Sequence, residues 1–143
     1  MADLAETLIA EEEGRSASVY RDTRNLLTIG IGCLVDPSMR GAGLCDAAID
    51  AQFAHDSARA RQLAADLPGY QRLNEVQQAV LVSMCFQIPG CVHWPQFTGA
   101  LAMDDVKAAA AAGRDSDWWR IQTPKRAERE MQMLETGVWQ PRT

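Results

Sequence analysis

Two carboxylates and a hydroxyl near the N-terminus have the residue types and spacing of an acid–base site. Glu13 comes directly before a glycine, Asp22 follows nine residues later, and Thr28 six residues after that. Such a set suits glycoside hydrolysis, in which one carboxyl group protonates the leaving oxygen while a second group directs water or stabilises the cation-like carbon. An exposed acidic helix end followed by an ordinary turn has the same residues, so the spacing alone leaves both interpretations open.

Local patterns place these residues on a helix and a hairpin. An apolar pattern over 3–13 predicts an amphipathic helix that ends at Gly14. Two short β-forming runs on either side of a polar turn predict a β-hairpin over 18–34. Gly30 and Gly32 alternate along its second strand, where missing side chains would let another backbone or a ligand come close.

Capping residues, prolines and glycines divide the rest of the chain into helices. The segment after Asn74 lacks a polar face, so we expect a helix that is buried on most sides. The predicted segments are loops over 36–38 and 41–43, a helix over 46–66 capped by Asp46, a core helix over 76–88, short helical pieces over 97–112 and 115–121, and a helix from Thr123-Pro124 to about Glu135, with Gly137 at its end.

Composition favours one mainly helical domain. The 143 residues, 47% of them hydrophobic, are enough to bury one substantial core, and no linker or internal repeat is visible. Alanine is abundant, strand-forming runs are scarce and aromatics make up only 6%. The fold class is therefore α, or α+β with a small β part.

Charge and motif content argue against several function classes. A formal net charge of −5 disfavours nucleic-acid binding, and it also counts mildly against an anionic polymer as partner. Neither a leader peptide nor an apolar run long enough for a bilayer is visible, so we expect no membrane insertion. The four cysteines show no metal-ligand spacing, which predicts free thiols in a reducing compartment and no metal site.

Several short segments carry a more specific signal because of their order. In sequence they are Glu13-Gly14, Tyr20 to Thr23, Thr28 to Gly32, Met84 to Gln87, Phe97-Thr98, Trp119 to Ala127 and Thr136 to Trp139. Together they resemble the lysozymes of T-even and related phages, family 24 of the glycoside hydrolases. The resemblance covers nearly the whole chain, and it favours the catalytic interpretation of Glu13 over that of an exposed helix end.

The resemblance implies a role for each residue of the acid–base set. Glu13 matches the catalytic acid, Asp22 the second carboxylate, and Thr28 the hydroxyl that helps to hold the attacking water. Arg126 matches the arginine that pairs with the catalytic glutamate and supports its orientation. No metal or cofactor is implied.

The resemblance also implies which side chains line the site for the sugar chain. Leu34, Phe86 and Gln87 match such positions, although Phe86 lies in the most apolar predicted helix and is also compatible with a core role. The three tryptophans towards the C-terminus look more like packing residues than sugar platforms: they are Trp118, Trp119 and Trp139.

Two departures from the family pattern affect the small lobe. Only eleven residues separate Leu34 from Asp46, so we expect part of the small sheet and of the cleft floor to be absent or rebuilt. Cys33 stands where the family pattern has a histidine that pairs with an aspartate, here Asp56, so that ion pair is missing.

The fold implied is α+β and mainly α, within a single domain over 1–143. A small hairpin lobe at about 14–45 is joined by a connecting helix at about 46–66 to a helical lobe at about 70–143, which also takes in the N-terminal helix. The glycan cleft is expected between the two lobes.

The implied activity is that of a muramidase, which cleaves the β-1,4 bond between N-acetylmuramic acid and N-acetylglucosamine in peptidoglycan. We expect a monomeric endolysin, made in the host bacterial cytoplasm and reaching the periplasmic wall through a holin. Two alternatives stay open, a cell-puncturing domain of a tail or particle and a non-catalytic glycan-binding relative.

Overall fold

A computed structural model describes residues 4–35 and 43–142. The chain divides into two compact units, one over 1–52 and the other over 53–143. Helices predominate, and one small antiparallel sheet accompanies them. The predicted α+β, mainly α fold class is therefore confirmed, while the proposed lobe boundaries and the cleft stay predictions.

The described part of the first unit contains one complete helix, a three-stranded sheet and the first residues of the helix that crosses into the second unit. Helix α1 spans Leu4–Glu13 and is followed by β1 (Ser16–Arg21), β2 (Leu27–Gly30) and β3 (Cys33–Leu34). The strands pair in the order β1–β2–β3, both pairs antiparallel. The predicted helix and hairpin are thus confirmed.

Helix α1 ends because a glycine follows it. Gly14 adopts a left-handed conformation, with φ of 69°, that favours glycine, and its N–H donates to Ala10 O at 3.0 Å. Glu13 is consequently the last helical residue before the chain turns into β1. The predicted loop over 36–38 lies outside the described residues, as do residues 41 and 42 of the next predicted loop.

Five further helices follow, and α2 contains the boundary between the two units. Asn74 begins α3 as predicted, since its side chain accepts the Gln77 N–H while the Gln77 side chain accepts the Asn74 N–H. Gly137 ends α6 with φ of 68°, also as predicted. The helices are α2 (Asp46–Ala65), α3 (Glu75–Gln87), α4 (Pro95–Ala102), α5 (Val106–Arg114) and α6 (Pro124–Thr136).

The segment predicted to be helical over 97–112 is divided into α4 and α5. Asp104 adopts a positive φ of 57°, and the Asp105 side chain accepts the Ala108 N–H as the N-cap of α5. Asp104 therefore lies between the two helices, and the next residue, Asp105, caps α5. The piece predicted over 115–121 is a short π-helical turn at Trp118–Gln122.

The hydrophobic core of the second unit is built around α3. Buried side chains of this helix pack with others from α4, α6 and the π-helical turn, which confirms that it is a core helix. The largest of these buried residues are Leu81, Met84, Phe97, Leu101, Trp118, Met131 and Leu134.

None of the helices in the described ranges combines the length and the apolar character that crossing a bilayer requires. The same ranges contain no group of three or more His, Cys, Asp or Glu side chains arranged to hold a metal ion.

Candidate active site

The carboxyl group of Glu13 lies against the backbone of Gly32. A Cβ atom on Gly32 would stand 2.8 Å from Oε2 of Glu13, and Gly32 has a φ of 68° that favours glycine. The sequence predicted that a backbone or a ligand comes close at this position, but the group found there is the candidate catalytic acid itself. Gly30 also has a positive φ, yet nothing lies within 4 Å of its Cβ position.

Glu13 is exposed at the end of α1, as are Glu11 and Glu12 immediately before it. Its carboxyl group is therefore open to solvent on one side and limited by Gly32 on the other. This arrangement suits a proton donor that must meet a polymeric substrate, because the group is not covered.

Asp22 is held by the hairpin turn. Its Oδ1 accepts the N–H groups of Leu26 at 2.9 Å and Arg24 at 2.8 Å, and its Oδ2 lies 3.4 Å from the Arg24 guanidinium. These contacts, with the Leu26 N–H as the largest contribution, lower the pKa of Asp22 below its ordinary value. Asp22 is thus an ionised carboxylate at neutral pH, which is the state that its proposed role requires.

Thr28 is buried in the small sheet, with 1% of its surface exposed. It pairs with Tyr20 of β1 on one side and with Leu34 of β3 on the other. Its hydroxyl donates to Leu26 O at 3.0 Å, so the oxygen keeps its lone pairs as acceptors. Thr28 and Asp22 are linked through Leu26, which binds both side chains with its own backbone.

The predicted sugar-binding residues of the second unit lie at the end of α3. Phe86 is 40% exposed and its ring centroid lies 6.0 Å from that of Phe53, so the alternative that Phe86 is a core residue is wrong. Gln87 accepts the Trp118 indole N–H at 2.9 Å and donates to Thr123 Oγ1 at 3.2 Å. The amide of Gln87 is therefore held in one orientation.

Arg126 has partners that sequence reasoning did not single out. Its Nε donates to Oε1 of Glu130 at 2.8 Å, and its Nη2 donates to Ser83 Oγ at 2.8 Å. Glu130 is buried, with 3% exposure, and its Oε2 has no hydrogen-bond partner among the described residues. The four-residue spacing from Arg126 on one helix is the signal that could have found it. The pairing of Arg126 with Glu13 stays a prediction.

Arg126 and Glu130 line a surface groove of about 1520 Å³ in the second unit. The groove also carries the basic side chains of Lys125, Arg129 and Arg142. Glu128 also lines the groove, so its basic side chains outnumber its acidic ones by four to two in a chain whose net charge is −5.

The tryptophan predictions are only partly right. Trp118 is 1% exposed and belongs to the core, as predicted. Trp119 is half-buried and donates its indole N–H to Glu128 at 2.7 Å. For Trp139 the packing prediction is wrong, since it is 60% exposed and the Arg129 guanidinium carbon lies 5.2 Å from its ring centroid. Trp139 lies beyond Gly137, where α6 ends, so it is not part of the helix face that packs on the core.

Comparison with known proteins places this chain in a family. Residues 10–133 match the family described as phage lysozyme. Over 166 aligned positions the chain is 23% identical to the probable T4-type lysozyme 1 of Dictyostelium discoideum, and the alignment covers 96% of this chain and 97% of that protein. The match includes the candidate acid–base residues and most of the helical unit. The chain therefore belongs to the phage lysozyme family, a family of glycoside hydrolases that act on peptidoglycan.

Proposed function

We propose that this protein is an endolysin-type muramidase that cleaves the β-1,4 bond between N-acetylmuramic acid and N-acetylglucosamine. The observation that carries the proposal is the placement of Glu13 against Gly32, within the same unit as the ionised Asp22. A solvent-open carboxyl group and an ionised carboxylate on a rigid hairpin are the two groups that glycoside hydrolysis requires.

In the proposed reaction the protonated Glu13 donates its proton to the glycosidic oxygen as the bond to the anomeric carbon breaks. The Thr28 oxygen helps to hold a water molecule, and Asp22 accepts a proton from that water as its oxygen bonds to the same carbon. The Asp22 carboxylate also stabilises the positive charge that develops on the sugar ring. All three groups act through their own side chains, without a metal or cofactor.

The remaining site residues are proposed to bind and orient. Leu34, Phe86 and Gln87 contact the sugar chain, and the exposure of the Phe86 ring together with the fixed Gln87 amide supports this role. Arg126 supports the orientation of Glu13 through its guanidinium group. Within the second unit, Nε and Nη2 of Arg126 bind Glu130 and Ser83.

The biological role proposed is lysis of the bacterial host by a monomeric enzyme. The chain would be made in the host cytoplasm and reach the periplasmic wall through a holin. Expression in a Gram-negative host tests this directly: lysis should occur only when the inner membrane is permeabilised. Spontaneous lysis without permeabilisation would contradict the need for a holin.

A turbidity assay on chloroform-treated Gram-negative cells tests the catalytic assignment. Glu13→Gln removes the proton donor and keeps the shape, so we expect loss of lysis with unchanged thermal unfolding. Glu11→Gln is the matched control, because it changes an exposed carboxyl on the same helix and should retain most activity. Lysis by the Glu13→Gln variant at the wild-type rate would overturn the assignment.

Mass spectrometry of digested peptidoglycan identifies the bond. A muramidase leaves N-acetylmuramic acid at the new reducing end, whereas a glucosaminidase leaves N-acetylglucosamine there. Reduction of the digest with borohydride before analysis marks that end. Marked N-acetylglucosamine would contradict the proposed bond specificity.

A further inference from the structure

Cys85 and Cys91 form a buried pair of thiols in the helical unit. Their Sγ atoms are 4.0 Å apart, and the two residues are 2% and 0% exposed. Cys85 lies in the last turn of α3, and Cys91 lies in the short 3-10 turn Pro89–His93 that follows. The two sulfur atoms are therefore in contact and already directed at each other.

A disulfide bond needs the two sulfur atoms about 2 Å apart. From the observed contact the two sulfur atoms must approach each other by about 2 Å for the bond to form. Both thiols are buried, so a small disulfide reaches them only when the 3-10 turn opens locally. Pro89 and Gly90 at the start of that turn are exposed and lie beyond the end of α3.

We propose that Cys85 and Cys91 are a thiol–disulfide exchange site, which small-molecule disulfides oxidise to an intramolecular disulfide. The Cys85 thiolate attacks one sulfur of the small disulfide, so that a mixed disulfide forms and one small thiolate leaves. Cys91 then loses its proton to solvent and attacks the Cys85 sulfur, and the second small thiolate leaves. Two protein thiols are oxidised and one small disulfide is reduced to two thiols.

The contact between the two thiols also sets the order of attack. The hydrogen bond from the Cys91 thiol lowers the pKa of Cys85, and this effect outweighs the burial of Cys85. The same contact raises the pKa of Cys91. Cys85 is also the less completely buried of the two thiols, so we assign it the first attack, and Cys91 resolves the mixed disulfide.

Formation of the disulfide bond would constrain part of the proposed binding site. Phe86 and Gln87 lie inside the loop between the two cysteines. A disulfide would hold the end of α3 to the 3-10 turn and restrict how far these two side chains can move. This consequence rests on the proposed function, whereas the formation of the disulfide does not.

Thiol oxidation of the folded protein tests the proposal. In a Cys33→Ser, Cys45→Ser variant only the pair remains, and the reduced protein is incubated with glutathione disulfide and quenched with acid. We expect the intact mass to fall by two hydrogen atoms, with both thiols lost together. Both cysteines lie in one tryptic peptide, Leu73–Lys107, which should carry the same mass loss.

A third substitution separates the two steps. With Cys91→Ala added, Cys85 can still attack but cannot be resolved, so the reaction should stop at a glutathione adduct. A stable adduct or a covalent dimer with both cysteines present would overturn the proposal. Retention of both thiols under conditions that fully oxidise the urea-unfolded variant would also overturn it. The readout is mass, so a failure of lytic activity leaves this result unaffected.

Discussion

The Glu13 carboxyl group and the Gly32 backbone are in such close contact that no side chain fits between them. A Cβ atom on Gly32 would lie 2.9 Å from the Glu13 carboxyl carbon and 2.8 Å from Oε2. Real Cβ atoms do not approach other heavy atoms so closely, so any other residue would displace the candidate acid. The lack of a side chain at Gly32 thus leaves the space that the Glu13 carboxyl group occupies.

Gly32→Ala should reduce lytic activity at least tenfold because it displaces the Glu13 carboxyl group. It should also destabilise the fold by about 1–2 kcal/mol, because alanine is strained at positive φ. Gly30→Ala is the matched control, with the same backbone strain but open space at its Cβ position. Equal activity losses in the two variants, at equal stability, would show that strain alone accounts for the effect.

Asp22→Asn should abolish most activity and make stability less dependent on pH. The pKa of Asp22 is lowered in the folded state, so its ionised form stabilises the fold above the unfolded-state pKa, and this contribution is lost as the pH falls through the folded-state pKa. Thermal unfolding of the wild-type protein and the Asp22→Asn variant, at about pH 6 and below about pH 3, measures the difference in stability between them. A difference in melting temperature that grows towards low pH would contradict the expected sign.

Arg114→Met should destabilise the protein by about 1–2 kcal/mol, after allowance for solvent screening. Arg114 donates two hydrogen bonds to Glu128 at 3.1 Å and one to Glu135 at 3.0 Å, and all three side chains are partly buried. The exposed pair Arg72–Asp104 is the control, and Arg72→Met should cost less than about 0.5 kcal/mol. Denaturant unfolding at neutral pH compares the free energies of unfolding of the two variants.

Low pH should remove the contribution of Arg114 to the stability of the fold. The Arg114 guanidinium lowers the pKa of Glu128, so the stabilisation is present above the unfolded-state pKa of Glu128 and disappears as the pH falls through the folded-state value. The wild-type protein and the Arg114→Met variant should therefore converge in stability at low pH. A difference that is constant across this range would indicate packing rather than charge.

Arg126→Met should destabilise the protein by about 3 kcal/mol, because it leaves the buried Glu130 carboxylate without its cation. Adding Glu130→Leu removes that buried charge, so the double variant should recover most of the lost stability. A double-mutant cycle, based on free energies of unfolding in denaturant, gives the coupling free energy between Arg126 and Glu130. Strictly additive losses would show that the two side chains do not stabilise each other.

Gly113→Ala should destabilise the packing of α5 on α6. A Cβ atom on Gly113 would overlap Sδ of Met131, and both residues are buried. Repacking the flexible methionine should cost about 1–3 kcal/mol. Gly99→Ala on α4 is the control: it has open space and should be neutral or stabilising by up to about 1 kcal/mol. Thermal unfolding measures both, and equal effects would exclude the overlap as the cause.

The sequence by itself determined the elements whose signals are local. Helix α3 begins where Asn74 and Gln77 can cap each other, and α6 ends where Gly137 supplies a left-handed conformation. The hairpin follows the β-forming runs on both sides of the Asp22 turn. These signals depend on residues within about four positions of one another, and such interactions form in the same way whatever the rest of the chain does.

Only the tertiary structure decided which side chains meet across the chain. Glu130 meets Ser83, 47 positions away, and the Cys85 and Cys91 thiols meet after a change of direction at the end of α3. The contact of Gly32 with Glu13 likewise depends on how the hairpin folds back on α1. Contacts between distant residues arise when separate elements pack, so local sequence patterns did not predict these partners, whereas caps and turns depend on neighbouring residues.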